Sequence, residues 1–596
     1  MNLGFGYDLF SGFLQSDCYY WISVIAYAVL LAAPFVFWKS SRRGTVFISC
    51  MAAAFITVML LPLYAKQMNV DEGTHLLMAY SLINGGMPFR DFEGNSAGPL
   101  NAIYLALFSF GSISFLTARL AVLFSGLAGG IMVFLAVRKL CGIRPAMALS
   151  SLMFFYYSVH CNDVMAYNSE TPFCLVITLW LMLFAFRGSS RRIIFAEFFA
   201  IGLMPWIKLQ FVPFAAICFV ISLSRGVFVR DSREAVAISH GEPGYSRSGE
   251  GFAGTGRSFR ELLSVNISLQ CFAAALPTLL FVLLFALTGA LERFWLYYVI
   301  GNLHAVAKPF IDYLEYLFPF LRHFSDLDMF SLATCVFLAF MVLAVADIKI
   351  PGPGIPGSNV PGSSVRRFLA AARLSLSARR AAGIILLALF VLVALFSASR
   401  TETLFDHYLN ILVLSSAIFA ALGLARTEGV EKRGQWAFAL LVVAAVVFGT
   451  KLWSVNKISE LQQTGFVTET NYKFRDALHY LNNHTKPGEP VAYWGWETGL
   501  PIYSGHPSAT STHLISEIMV LDKRIRTEYA HEVTAYKPSA IVDLVCPDAF
   551  DYKDSSYELS NYDFMKKITD EYYEKPVAIP VGSKGYVRIY LRKKDN

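Results

Sequence analysis

About twelve long apolar stretches, separated by loops whose basic residues cluster at every second one, constrain this chain more than any other feature. The stretches are residues 21–38, 45–64, 118–137, 146–159, 171–186, 193–206, 209–223, 269–289, 329–346, 383–397, 409–425 and 436–453. A helix needs roughly 20 apolar residues to cross a hydrocarbon core, so each stretch is a candidate membrane span. Composition agrees. Charged residues make up 16% of the chain, against about a quarter in soluble domains. A soluble enzyme of 596 residues would need several charged domain surfaces that so few charges do not supply. Phe (50) and Tyr (29) are too plentiful for a disordered chain.

The loops sort by charge. Lys39/Arg42/Arg43, Arg138/Lys139/Arg144, Arg187/Arg191/Arg192, Arg225/Arg230/Arg233, Arg366/Arg367/Arg379/Arg380 and Arg426/Lys432/Arg433 fall on one side. The alternate loops hold isolated basic residues: Lys66, Arg90, Lys208, Arg293, Lys308, Arg322 and Arg400. The positive-inside rule places the clusters in the cytoplasm and both termini outside. The net charge of +7 is spent in these loops, so nucleic acid is not expected as a partner, whereas a lipid bilayer is. No signal peptide is expected, because no Lys or Arg precedes the first apolar stretch. Nine scattered cysteines without a CxxC pair indicate neither a disulfide framework nor a zinc site.

Residues 224–266 and 347–382, rich in Ser, Gly, Pro and Arg, read as flexible cytoplasmic linkers. After Trp453 the sequence becomes polar and mixed in charge. Apolar residues at helical spacing predict a helix over 471–484, and strand-like runs lie at 490–494, 540–545 and 586–591. The expected fold is an α-helical polytopic membrane protein of about 12 spans (residues 1–454) followed by a C-terminal extracytoplasmic α/β domain (455–596).

The chemistry is expected in the outer loops. The longest, residues 65–117, opens with Asp71-Glu72-Gly73 directly after a span. Paired carboxylates at a membrane surface are costly and mark a candidate site. Asp71 is equally suited to cap a helix over 72–84. Gly85-Gly86 would end that helix and Gly98-Pro99 start a second, amphipathic one. The two helices would present Asp71, Glu72 and Asp91 to one cleft, unless Asp91 simply pairs with Arg90 in a solvated turn. Lys208, between two apolar stretches, is a candidate anion ligand or a snorkelling interface residue. Arg400 and His407 share a later outer loop. Asn162, Asp163, Asn168 and Glu170 form a polar cluster in a loop without basic residues. Trp494-Gly495-Trp496 and Tyr503 suit either stacking on a sugar ring or a domain core; Asn302 and Lys308 are minor candidates.

The pattern Asp71-Glu72-Gly73, then Gly86-x-Pro88-Phe89-Arg90-Asp91-Phe92, then Gly98-Pro99-Leu100, resembles the first external loop of bacterial GT-C glycosyltransferases. Among these, the lipid-linked-sugar-dependent enzymes related to protein O-mannosyltransferases and aminoarabinose transferases are the most similar by eye. Ala118-Arg119-Leu120, Tyr167-Asn168-Ser169-Glu170, Lys208-Leu209-Gln210 and His407-Tyr408 agree in order and outside placement. The chain departs from the pattern in an extra span at 21–38 and in Gly98-Pro99 where a double proline is usual.

The resemblance implies transfer of a sugar from a polyprenyl-phosphate donor to a hydroxyl of a lipid, glycan or protein acceptor, at the outer face of a bacterial inner membrane. Such a transfer needs a carboxylate base for the acceptor, and cations or a metal for the leaving phosphate. The resemblance implies Asp71 as base, with Glu72 and Asp91 orienting the acceptor or holding a metal. Lys208, Arg400 and His407 would bind donor phosphate, and Asn162, Asp163, Asn168, Glu170 and Tyr408 substrate. No cofactor is certain; Asp71, Asp91 and Glu170 are the ligands a divalent metal would take. The competing expectation is a transporter or flippase of lipid-linked saccharides, which would instead place its charges at mid-bilayer on broken helices. A non-catalytic assembly subunit is the third reading.

Overall fold

The computed structural model describes residues 13–14, 16–38, 43–65, 70–92, 97–109, 115–164, 167, 169–188, 190–225, 259–300, scattered positions between 385 and 437, and 473–495, 499–511, 523–546, 557–581 and 585–594. The expected span 329–346 and nearly all of 436–453 lie outside these residues. So do the candidates Asn168, Asn302, Lys308, Arg400, His407, Tyr408 and Trp496.

Of the expected spans 383–397 and 409–425 only scattered positions are described. Among the described residues apolar runs become helices close to where the sequence places them. These are α1 (Asp17–Phe37), α2 (Gly44–Ala65), α3 (Val70–Ile83), α4 (Pro99–Leu107), α5 (Phe115–Cys141), α6 (Ile143–Val164), α7 (Glu170–Phe186), α8 (Arg191–Leu203), α9 (Val212–Leu223) and α10 (Phe259–Leu287). Helix α5 is the centre of the bundle, packed against α2, α6 and α7. Small residues let it approach closely: a Cβ on Gly126 would stand 2.6 Å from the Tyr157 ring, and one on Gly130 2.5 Å from that of Phe154. Phe47, Phe55, Phe134, Phe154 and Trp180 fill the interior.

The outside of the bundle is apolar as well. Leu279, Leu280, Leu283 and Leu287 of α10 and Trp21, Ile25 and Val36 of α1 are exposed. A surface so apolar suits lipid rather than water. Among the described residues two helical segments, Leu116–Cys141 and Ile267–Leu287, are long and apolar enough to cross a membrane unaided. The adjoining spans expected at 193–206 and 209–223 are shorter than that. Chain regularity breaks at Met204–Trp206 and Leu209–Phe211, two single 3-10 turns between α8 and α9, with Pro205 and Pro213 beside the break.

The tail comprises α11 (Arg475–His484), β1 (Val491–Trp494), α12 (Gly499–Ser504), α13 (Lys523–Tyr536), β2 (Ala540–Asp543), α14 (Asp563–Tyr572), β3 (Val577–Val581) and β4 (Gly585–Leu591). The sheet order is β1-β2-β4-β3, with β1 parallel to β2 and the other pairs antiparallel. Sequence periodicity predicted three of these strands; β3 is the addition. It is an edge strand containing Pro580 and is largely exposed, so it lacks the apolar alternation that marks a strand. Trp494 lies wholly in the domain core, its indole N–H donating to the Tyr557 carbonyl at 2.9 Å. This places it in the core alternative and removes it as a stacking surface.

Candidate active site

Helix α3 is short, yet buried on three sides. Leu76 and Ala79 join the bundle core, Met78 packs with Phe92, Ala97 and Ala102, and Leu77 enters the apolar core of the tail domain. The helix therefore sits between bundle and tail. It starts at Val70 rather than at residue 72, so Asp71 lies in its first turn and is not its cap. The Asp71 side chain is outside the described residues. Gly85, at φ +85°, turns the chain out of the helix as its sequence predicts.

Glu72 and Arg119 form a fully buried pair, with Nε to Oε1 at 3.1 Å and Nη2 to Oε2 at 3.4 Å. Both Glu72 oxygens are thus bonded to Arg119, which replaces the expected cleft-facing carboxylate with an anchor of α3 on α5. A charge excluded from water is stable only when so matched.

One turn along α3, His75 is buried edge-on against Tyr167, ring centres 5.3 Å apart. Its Nδ1 has no hydrogen-bond partner among the described residues. Burial, aided by the positive charge of Lys208, pushes the imidazole down to about 3, so it is neutral at ordinary pH. The Tyr167 hydroxyl donates to the Asn101 carbonyl at 3.2 Å, and its ring stacks on Tyr104. Asn101 donates through Nδ2 to the carbonyls of Gly98 (3.1 Å) and Ile207 (2.7 Å). Its Oδ1, buried and without a partner among the described residues, is thereby fixed as an acceptor.

The break between α8 and α9 completes this layer. Lys208 is extended (φ −158°) and bridges Ala97, while the Gly98 amide donates to the Ile207 carbonyl at 2.8 Å. A Cβ at Gly98 would come 2.0 Å from the Trp206 carbonyl oxygen, so only glycine lets the loop dock there. Pro99 then occupies the first helical position of α4. Lys208 is half-buried, and its charge acts on His75 of α3.

The turn between α3 and α4 carries Asp91. Arg90 grips it through Nε to Oδ1 (2.9 Å) and Nη2 to Oδ2 (2.6 Å), and the Met87 amide donates to Oδ2 at 2.8 Å. The Arg90 hydrogen bond first of all holds the Asp91 carboxyl below its usual range. Asp91 is exposed and so takes the solvated-turn alternative, apart from buried Glu72. Glu170 is buried at the first residue of α7. Asn162 and Asp163 lie in the last turn of α6, their side chains outside the described residues. Among the described residues no group of three or more His, Cys, Asp or Glu could hold a metal.

Three contributors escaped sequence reasoning. Arg119 reads as the start of a span, His75 as a lone histidine and Asn101 as a polar interruption in α4; only the i, i+3 spacing of Glu72 and His75 hints at a shared face.

No protein-family profile matches the sequence, and no curated protein matches it. Solved structures do. ArnT from Cupriavidus metallidurans bound to undecaprenyl phosphate superposes with a TM-score of 0.51 at 12% identity, covering 91% of this chain and 98% of that one. Its apo form gives 0.50 over the same shares. The chain has the GT-C fold. An oligosaccharyltransferase from Archaeoglobus fulgidus is also similar, at 13% identity over 92% of this chain and 75% of that one, with a TM-score of 0.43.

Proposed function

We propose that this GT-C-fold chain is a membrane glycosyltransferase that moves a sugar from a polyprenyl-phosphate donor to an acceptor hydroxyl. The observation that carries the reading is the end-to-end agreement in fold with a structure that holds undecaprenyl phosphate. The polar layer under the acidic loop supports it: beside the matched Glu72–Arg119 pair and half-buried Lys208, the buried His75 Nδ1 and Asn101 Oδ1 have no partner among the described residues and are costly to bury unless a ligand uses them. The apolar outer faces of α1 and α10 support a bundle that lies in lipid, and the basic clusters support a reading with the loop and tail on the far side from the cytoplasm of a bacterial inner membrane.

In this reading Asp71 takes the proton of the acceptor hydroxyl as its oxygen attacks the anomeric carbon. The bond to phosphate breaks on the opposite face, so a single displacement inverts the configuration of the hexosyl or pentosyl group. Lys208 meets the charge that develops on the phosphate, with Arg400 and His407 as further cations. Asn162, Asp163, Asn168, Glu170 and Tyr408 contact the sugar or acceptor, and Asp91 shapes the loop. A lipid, a glycan and a protein are all acceptors that would offer the required hydroxyl.

The test is transfer by purified protein in lipid nanodiscs, followed by mass spectrometry of the products. Asp71→Asn should lower the rate about 10²–10⁴-fold, the range typical of a lost general base. Stabilisation of the protein by undecaprenyl phosphate should persist. Unchanged transfer by Asp71→Asn would remove Asp71 from the chemistry. Movement of a lipid-linked saccharide across vesicles without covalent change would replace the enzyme by a transporter.

A further inference from the structure

Arg293 stands just after α10 and touches two parts of the chain that are remote in sequence. Its Nη1 donates to the Arg90 carbonyl at 2.8 Å, on the turn that carries Asp91, and its charge helps to lower the Asp91 carboxyl. Its Nη2 forms an ion pair with Glu528 of α13 and stands 3.8 Å from Glu532 on the same helix. Both carboxylates are held on their other sides. The Tyr297 hydroxyl donates to Glu528 at 2.6 Å, and Glu532 accepts the amide (2.9 Å) and hydroxyl (2.7 Å) of Ser511.

The turn is also held from the membrane side. Phe89, in the left-handed region at φ +63°, is buried in a socket of Trp206, Phe285, Phe294 and Tyr298. Residues Phe294–Ile300, which supply part of the socket, form a π-helix, a rare geometry that is frequent at functional sites. Arg293 is the residue immediately before it. The same eight-residue segment, 293–300, therefore grips the acidic-loop turn by an aromatic socket and the tail domain by an ion pair.

We propose that Arg293 is a positioning residue: by joining the Arg90 carbonyl to Glu528 it makes docking of the tail domain and the conformation of the acidic-loop turn a single cooperative event. Charge-assisted hydrogen bonds that are partly buried are strong enough to couple elements in this way. Leu77, which enters the tail core from α3, gives the coupled unit a second point of attachment. The consequence for catalysis rests on the glycosyltransferase reading; the coupling itself does not.

Hydrogen exchange of the full-length protein in nanodiscs, with the variants Arg293→Met, Glu528→Gln and the double variant, tests the coupling. Each single change should speed amide exchange about tenfold in both residues 87–92 and α13, and the double variant should be no faster than Arg293→Met, because that change already removes the contact that Glu528→Gln weakens. Arg293→Met should also lower kcat of transfer while undecaprenyl phosphate binding is unchanged, a split that general loss of folding would not produce. Faster exchange in α13 alone, or in neither segment, overturns the proposal. Strictly additive effects of the two changes overturn it as well. If the wild-type protein transfers no sugar but the two segments open together, the coupling stands and the glycosyltransferase reading falls.

Discussion

Glu72 and Arg119 show how much one residue pair decides. With both side chains out of water, removing one partner leaves a buried charge, at a cost of about 3–5 kcal/mol. Glu72→Gln or Arg119→Met should therefore lower the thermal midpoint sharply. The double change Glu72→Met with Arg119→Met should cost less than either single, because no charge is left stranded. Thermal unfolding of the four proteins in one detergent checks this. Glu72 was visible in the sequence as a costly carboxylate, but its role was not. Its partner lies 47 residues away on another helix, and nothing local announces which cation a buried acid will meet.

At the scale of elements, the 87–92 turn exchanges backbone strain for aromatic packing. Phe89 adopts a left-handed conformation that costs about 1 kcal/mol for a residue with a Cβ. Burial in the socket offsets this, since truncating such a side chain to alanine costs about 3–5 kcal/mol. Phe89→Gly loses the packing but sheds the strain. It should be less damaging than Phe89→Ala by about 1 kcal/mol, the reverse of the usual order, and comparison of the two unfolding midpoints reads it. The helices flanking the turn were foreseeable from Gly85-Gly86 and Gly98-Pro99, because caps and breakers act locally. The break at residues 204–211 was less so. Apolar composition alone predicted two spans there, whereas the docking of Ile207 and Lys208 on the start of α4 fixes an irregular segment.

Two buried groups give the whole molecule opposite pH responses. Burial pushes the Asp543 carboxyl in the tail core up to about 7, despite amide hydrogen bonds from Val545 and Leu559. An acid whose pKa rises on folding contributes stability that is complete below its unfolded value and lost as pH rises through about 7. His75 acts the other way. Its pKa falls on folding, so its contribution is complete above the unfolded value of 6.5 and lost as pH drops toward about 3. Each limb should have a slope of at most about 1.4 kcal/mol per pH unit. Both limbs lie between about pH 4 and 7 and oppose each other, so across that range thermal midpoints should climb more steeply with pH in Asp543→Asn than in the wild type, and should fall with pH in His75→Gln. Retention of a limb in its variant would assign that limb to other groups.

The sequence by itself determined the apolar zones, the change to a polar tail at residue 454 and, among the described residues, most helix limits. These depend on burial of local runs and on caps, which neighbours in the chain decide. The tertiary structure alone decided that Arg119 neutralises Glu72, that His75 and Asn101 join Lys208 beneath the loop, and that Arg293 ties the loop to α13. Partner choice for a buried polar group depends on which helices become neighbours after long loops have closed. Pairs such as Arg293 with Arg90, 203 residues apart, leave no periodic trace in the chain.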